Sequence, residues 1–130
     1  TLGIPDADFS LTGAEDNTNV GGETVADRDL NGDGHLDLLI GNGWLQTDGG
    51  APSFGGGYPR SWIVFGPLSS GTRFASDADV IFAEDVDVTD WSWGIQVQVA
   101  GDTNGDGRLE VLIGSAGDWG GLFEIPTGGY

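Results

Sequence analysis

The sequence predicts an all-β fold made of two units, each with four short antiparallel strands. Three observations predict it. Ile95, Val97 and Val99 alternate with Gln96 and Gln98, the period-2 pattern of a strand with one buried face. The apolar runs opening at Leu36 and Leu109 last about five residues before Gly41 and Gly114, too short for a stable helix. The chain also repeats itself almost end to end, and its 25 glycines, without a collagen period, suit many tight turns between short strands.

Taken in order, the first unit opens with Asp6-Ala7-Asp8, then Phe9 and Leu11, then Glu15-Asp16. The second opens with Asp77-Ala78-Asp79, then Val80 and Phe82, then Glu84-Asp85, 71 positions later (6 to 77). The next shared feature is an acidic nine-residue loop, DLNGDGHLD from Asp29 to Asp37 and DTNGDGRLE from Asp102 to Glu110, 73 positions apart (29 to 102). The length difference therefore sits in the acidic stretch ahead of the loop. After the loops, Leu36-Asp37-Leu38-Leu39-Ile40-Gly41 matches Leu109-Glu110-Val111-Leu112-Ile113-Gly114. Gly-rich connections then lead to Trp62-Ile63-Val64-Phe65-Gly66 in one unit and Leu122-Phe123-Glu124-Ile125 in the other. A boundary near Ser69 to Arg73 divides the chain into units 1–70 and 71–130, with the low-complexity stretch Gly49 to Gly57 a surface loop. Four short antiparallel strands repeated at a long period form the pattern of a β-propeller blade.

The two loops carry the chemistry. Asp29, Asn31 and Asp33 place side-chain oxygens at loop positions 1, 3 and 5, Gly34 permits the turn, His35 offers its backbone carbonyl, and Asp37 closes the site. Asp102, Asn104, Asp106, the carbonyl of Arg108, and Glu110 repeat the set. Oxygen ligands at alternate positions around a glycine turn wrap a hard cation, and three carboxylates per loop suit Ca2+ better than Mg2+, which demands a rigid octahedron and keeps its waters. Two Ca2+ ions per chain are expected. An EF-hand shares the first half of this loop but needs a bidentate Glu at position 12 and a following helix. Position 12 is Ile40 or Ile113, inside a predicted strand. Asp/Asn/Gly hairpin turns also form without metal, but two loops that both keep the closing carboxylate favour the metal reading. Without metal, three converging carboxylates repel one another, so cation binding is expected to couple to folding of the hairpin and to be structural in purpose.

Charge and composition narrow the function. Twenty-one acidic residues against four basic ones give a net charge of −17. Such a field repels nucleic-acid phosphates and anionic membrane surfaces, so neither nucleic-acid binding nor membrane insertion is expected. It also opposes compaction unless cations or salt neutralise it. The chain has no cysteine and no apolar run approaching the ~18 residues of a membrane span. It starts at Thr1 with neither a methionine nor a signal-like apolar segment, which reads as a mature or excised product. Loops of moderate affinity fill where calcium is millimolar, so an extracellular or cell-surface protein is expected.

With these motifs in hand, the chain resembles the FG-GAP repeats of integrin α-chain N-terminal propellers and of bacterial surface proteins. DLNGDGHLDLLIG and DTNGDGRLEVLIG are similar to the calcium hairpin between the first two strands of a blade in that family. Trp93-Gly94 stands at the Phe-Gly position, with Val20-Gly21 its counterpart. The resemblance covers nearly the whole chain as two repeats. It implies two four-stranded antiparallel blades of propeller type, with one metal site on Asp29, Asn31, Asp33, His35 and Asp37 and another on Asp102, Asn104, Asp106, Arg108 and Glu110. The Gly-Ala-Pro of the family is replaced by Gly41-Asn42-Gly43 and Gly114-Ser115-Ala116, and Glu110 stands where Asp is usual, implying a second site that is looser or differently coordinated. Family propellers close with about seven blades, and propellers in general need four to eight, whereas two repeats leave a face open at each end. Other copies of the chain, in a ring or filament, or further blades of a longer parent are the expected cover.

Other residues weigh less. Trp44, Trp62, Trp91, Trp93 and Trp119, with Tyr58 and Tyr130, suit packing between blades, or stacking on sugar rings in a lectin-like propeller, which makes a glycan the alternative partner. Glu84, Asp85, Asp87 and Asp90 read as a solvated acidic loop ahead of a further cation site. A single histidine, no cysteine and no lysine leave the usual nucleophile–base pairs unassembled, and GNGW and GGGYPR lack the context of a phosphate loop. A non-enzymatic, calcium-binding structural or adhesive module is the expectation.

Overall fold

The computed structural model of the chain describes residues 6–13, 20–42, 60–83, 96–114 and 120–124. The fold is all-β. In chain order the strands are β1 (Phe9–Thr12), β2 (Val20–Arg28), β3 (Asp37–Asn42), β4 (Arg60–Val64), β5 (Gly71–Phe74), β6 (Val80–Ala83), β7 (Gln96–Gly101), β8 (Glu110–Gly114) and β9 (Gly120–Glu124), with a 3-10 turn at Ala75–Asp77. Among the described residues no helix is long and apolar enough to cross a membrane.

Among the described residues the strands form three open sheets: β2-β3-β4-β6 and β7-β8-β9, both antiparallel, and a parallel pair β1-β5. The four-stranded sheet runs past the repeat boundary. Its last strand is β6, beyond residue 70, while β1, the first strand of the first repeat, pairs with β5 instead. Long-range pairing of this kind leaves no local mark, because it depends on which edges meet after the hairpins have formed.

Register explains the apolar runs. Leu39 sits opposite Ile63, while Leu38 faces Val64 and Ile40 faces Trp62 across the β3–β4 ladder. Alternate residues point to opposite sides of a sheet, so Leu39 and Ile63 line one face and Leu38, Ile40, Trp62 and Val64 the other. Both faces are covered. Leu39 and Ile63, each fully buried, join Leu30, Val97, Val111 and Ile113 in a core between the two larger sheets. Ile40, Trp62, Val64 and Ala75 form a second core, against which Phe9, Leu11 and Val20 pack. A strand buried on both faces reads as a continuous apolar run. The three-stranded sheet differs: Val97, Val111 and Ile113 are buried, but Gln96, Gln98 and Leu112 are exposed, so only one face is covered.

Two polar ties fix the packing. The Glu23 carboxylate accepts a hydrogen bond from the Val97 backbone N–H (3.1 Å), linking the larger sheets. Arg73 donates to both carboxylate oxygens of Asp79 (3.1 and 3.2 Å) and to the Asp77 carbonyl. Asp79 in turn accepts from the Phe65 N–H (2.8 Å), which holds the chain leaving β4 against the approach to β6.

Candidate metal centres

Both acidic loops sit at the tips of equivalent hairpins, between β2 and β3 and between β7 and β8. In each hairpin the ladder slips just ahead of the loop, between Val25 and Arg28 and between Val99 and Gly101. Such bulges bend a strand and re-aim the residues beyond them. Within the loops, Gly32 and Gly34 take φ of +82° and +92°, and Gly105 and Gly107 take +80° and +89°. These left-handed positions are what the NGDG sequence supplies, since a Cβ there costs roughly 1–2 kcal/mol.

The first carboxylate organises each loop. Asp29 accepts from the backbone N–H groups of Gly32 (2.7 Å), Asp33 (3.1 Å) and Gly34 (2.7 Å). Asp102 accepts from Gly105 (2.6 Å), Asp106 (3.0 Å) and Gly107 (2.9 Å). Asn31 and Asn104 accept from the N–H of Asp33 and Asp106, and those two aspartates accept from the N–H of His35 and Arg108. The Gly34 N–H foremost, with those of Gly32 and Asp33 and the nearby His35, holds the Asp29 carboxyl below its ordinary value of 3.8, against partial desolvation. The ionised form of Asp29 is therefore the one the first loop is wound around.

The closing carboxylates distinguish the two sites. Asp37, 1% exposed, uses both oxygens: one accepts from the Leu30 N–H (2.7 Å) and the other from the Gly66 N–H (2.8 Å). It thereby ties the loop to the end of β4. Glu110, 4% exposed, directs only one oxygen to protein donors, accepting from the N–H and the hydroxyl of Thr103 (2.6 Å each). Its other oxygen is buried without a hydrogen-bond partner. Asp102, Asp106 and Glu110 bring one carboxylate oxygen each within 4.8 Å of one another, the one such acidic group among the described residues. Asp29, Asp33 and Asp37 do not converge in this way. Glu110 has one more methylene than Asp37, which gives its carboxylate the reach to serve Thr103 and the loop together.

A divalent cation fits the second loop on this ground. A buried carboxylate oxygen without a donor carries an uncompensated desolvation cost, which a hard cation relieves. In the first loop both Asp37 oxygens are already hydrogen-bonded, though each retains a lone pair. The structure adds two residues that the loop spacing does not reveal. Thr103 anchors Glu110 through side chain and backbone, where the first loop has Leu30, an apolar residue buried in the core. Gly66 supplies its N–H to Asp37 across 29 positions of sequence.

Of the aromatic candidates, Trp62 is 1% exposed and belongs to the second core, so its ring packs within the protein. Trp44, Tyr58, Trp91, Trp93, Trp119 and Tyr130 lie outside the described residues, as do Glu84, Asp85, Asp87 and Asp90. No family model matches the chain, and no curated protein or solved structure matches it at a significant level.

Proposed function

We propose that the chain is a calcium-binding, non-enzymatic structural module of an extracellular assembly, built from two propeller-type blades of the FG-GAP kind. The observation that carries the metal reading is the convergence of Asp102, Asp106 and Glu110, whose Glu110 carboxylate also keeps one buried oxygen without a hydrogen-bond partner. The equivalent hairpins, with their equivalent bulges and left-handed glycines, support a repeated blade. Asp102, Asn104, Asp106, the Arg108 carbonyl and Glu110 would hold one Ca2+, and Asp29, Asn31, Asp33, the His35 carbonyl and Asp37 the other. Bound calcium would neutralise the converging carboxylates and lock each hairpin, a structural task. The open face of the three-stranded sheet supports the assembly.

Calorimetric titration of Ca2+ into the chelator-stripped chain tests the metal reading. One ion per loop is expected, and Glu110→Gln should remove the ion of the second loop while leaving the first. Absence of uptake by the unsubstituted chain would overturn calcium binding, and full uptake by Glu110→Gln would overturn the role of the buried oxygen.

A further inference from the structure

The two ends of the molecule are unfinished in complementary ways. The first larger sheet has four strands, its last being β6 antiparallel to β4, with Ser61 opposite Phe82, Trp62 opposite Ile81 and Ile63 opposite Val80. The second has three, and among the described residues nothing pairs with the outer edge of β9. Conversely, β1 is the repeat counterpart of β6, since Phe9 matches Val80 and Leu11 matches Phe82. Yet β1 has no antiparallel partner among the described residues, only the parallel β5.

The packing repeats as well. Val80 and Phe82 of β6 pack into the core between the larger sheets, and the Phe82 ring lies 5.3 Å from that of Phe123 on β9. Phe9 and Leu11 of β1 pack against Ile40, Trp62 and Val64 on the far side of the first sheet. Register makes Val64 the counterpart of Phe123, because Val64 sits opposite Leu38 and Phe123 sits opposite Val111. Thus β1 lies on the first sheet as β6 lies on the second: it occupies the place of the last strand of a preceding sheet whose other three strands are not found among the described residues.

Exposed leucines mark the same two faces. Inside the chain the sheet–sheet core includes Leu39 from the first sheet and Leu109 from the segment leading into the second. Their repeat counterparts are Leu112, 40% exposed on the open face of the second sheet, and Leu36, 61% exposed ahead of the first. The apolar pair that joins the two sheets internally is therefore presented again, one partner at each end.

We infer that a second copy of this chain docks head to tail on the first, its β1 adding antiparallel to the edge of β9 and its Leu36 side covering Leu112. Four strands, three from one copy and one from the next, complete the second sheet. Transferring the β4–β6 register predicts Phe9 opposite Leu122, Ser10 opposite Gly121 and Leu11 opposite Gly120. Edge pairing supplies the backbone hydrogen bonds and the leucine faces the apolar burial. Because the interface is heterologous, it generates rings or filaments, not a closed symmetric dimer. This inference rests on the proposed assembly and is independent of calcium.

Leu36 and Leu112 are both exposed, so arginine at either should leave the fold intact by circular dichroism. Leu36→Arg and Leu112→Arg chains should each sediment as monomers, and their mixture should form a one-to-one heterodimer through the single pair of intact faces. The absence of cysteine permits a register test. In the Leu36→Arg/Gly121→Cys chain mixed with the Leu112→Arg/Ser10→Cys chain, oxidation should yield a disulfide-linked heterodimer. A heterodimer without that crosslink would overturn the strand register. Full assembly of either arginine variant alone, or a monomeric unsubstituted chain both with Ca2+ and with chelator, would overturn head-to-tail docking. Calcium uptake by such a monomer would leave the metal reading standing and assign the open faces to further blades of a longer parent. Assembly without calcium uptake would leave the docking and remove the metal.

Discussion

Asp37 and Glu110 occupy the same position of two nearly identical loops, and one methylene separates their roles. Asp37 is short and fully enclosed, and both its oxygens are spent on backbone N–H groups from the loop and from Gly66. These two bonds make it a crosslink between the loop and the segment after β4. Asp37→Ala should therefore destabilise the chelator-stripped chain by about 2–4 kcal/mol, since it leaves one buried and one half-buried N–H group without an acceptor. Urea unfolding checks this, and a loss below about 1 kcal/mol would mean that water reaches those donors. The nine-residue spacing made every ligand candidate legible. It could not show that Glu110 keeps a free oxygen while Asp37 does not, because Gly66 and Thr103 enter through the fold.

At the scale of the element, the joint between the first loop and β4 leaves no room for a side chain at Gly66. A Cβ added at Gly66 would lie 2.5 Å from the Leu36 carbonyl oxygen and 2.9 Å from the His35 Cβ. One of those atoms is backbone and cannot rotate away. Gly66→Ala is expected to cost about 1–3 kcal/mol through overpacking, and to weaken the Asp37 crosslink that the Gly66 N–H completes. In a double-mutant cycle with Asp37→Ala the two losses should fall short of additive; strict additivity would separate the clash from the hydrogen bond. The need for glycine here comes from close approach, whereas Gly34 and Gly107 are required by their left-handed backbone. Sequence inspection sees the same residue in both cases. Only the loop glycines announce their reason, because the turn pattern around them is local.

Across the whole molecule, a charge of −17 acts against a modest pair of apolar cores. Raising salt from about 10 mM to about 500 mM shortens the screening length from roughly 30 Å to a few ångströms. The chelator-stripped chain should accordingly gain stability with sodium chloride, measured as a rising thermal midpoint. A flat or falling midpoint would show that the acidic groups are already compensated by their loop N–H donors. Calcium, if bound as proposed, should reduce this salt dependence by removing part of the repulsion.

What the sequence determined by itself is what depends on local spacing. Period-2 alternation placed β7, short apolar runs placed β3 and β8, and the NGDG loops placed the acidic groups at two hairpin tips. The all-β class comes from these, and so does the identity of the candidate ligands. The tertiary structure decided which strand closes which sheet. Phe9–Thr12 and Val80–Ala83 are repeat counterparts, yet one lies in a parallel pair with β5 and the other completes a four-stranded sheet. It also decided that Leu39 is enclosed while its counterpart Leu112 is exposed. Equivalent sequences diverge here because burial depends on what stands next in the stack, and a strand's partner is chosen by the edge it meets in space.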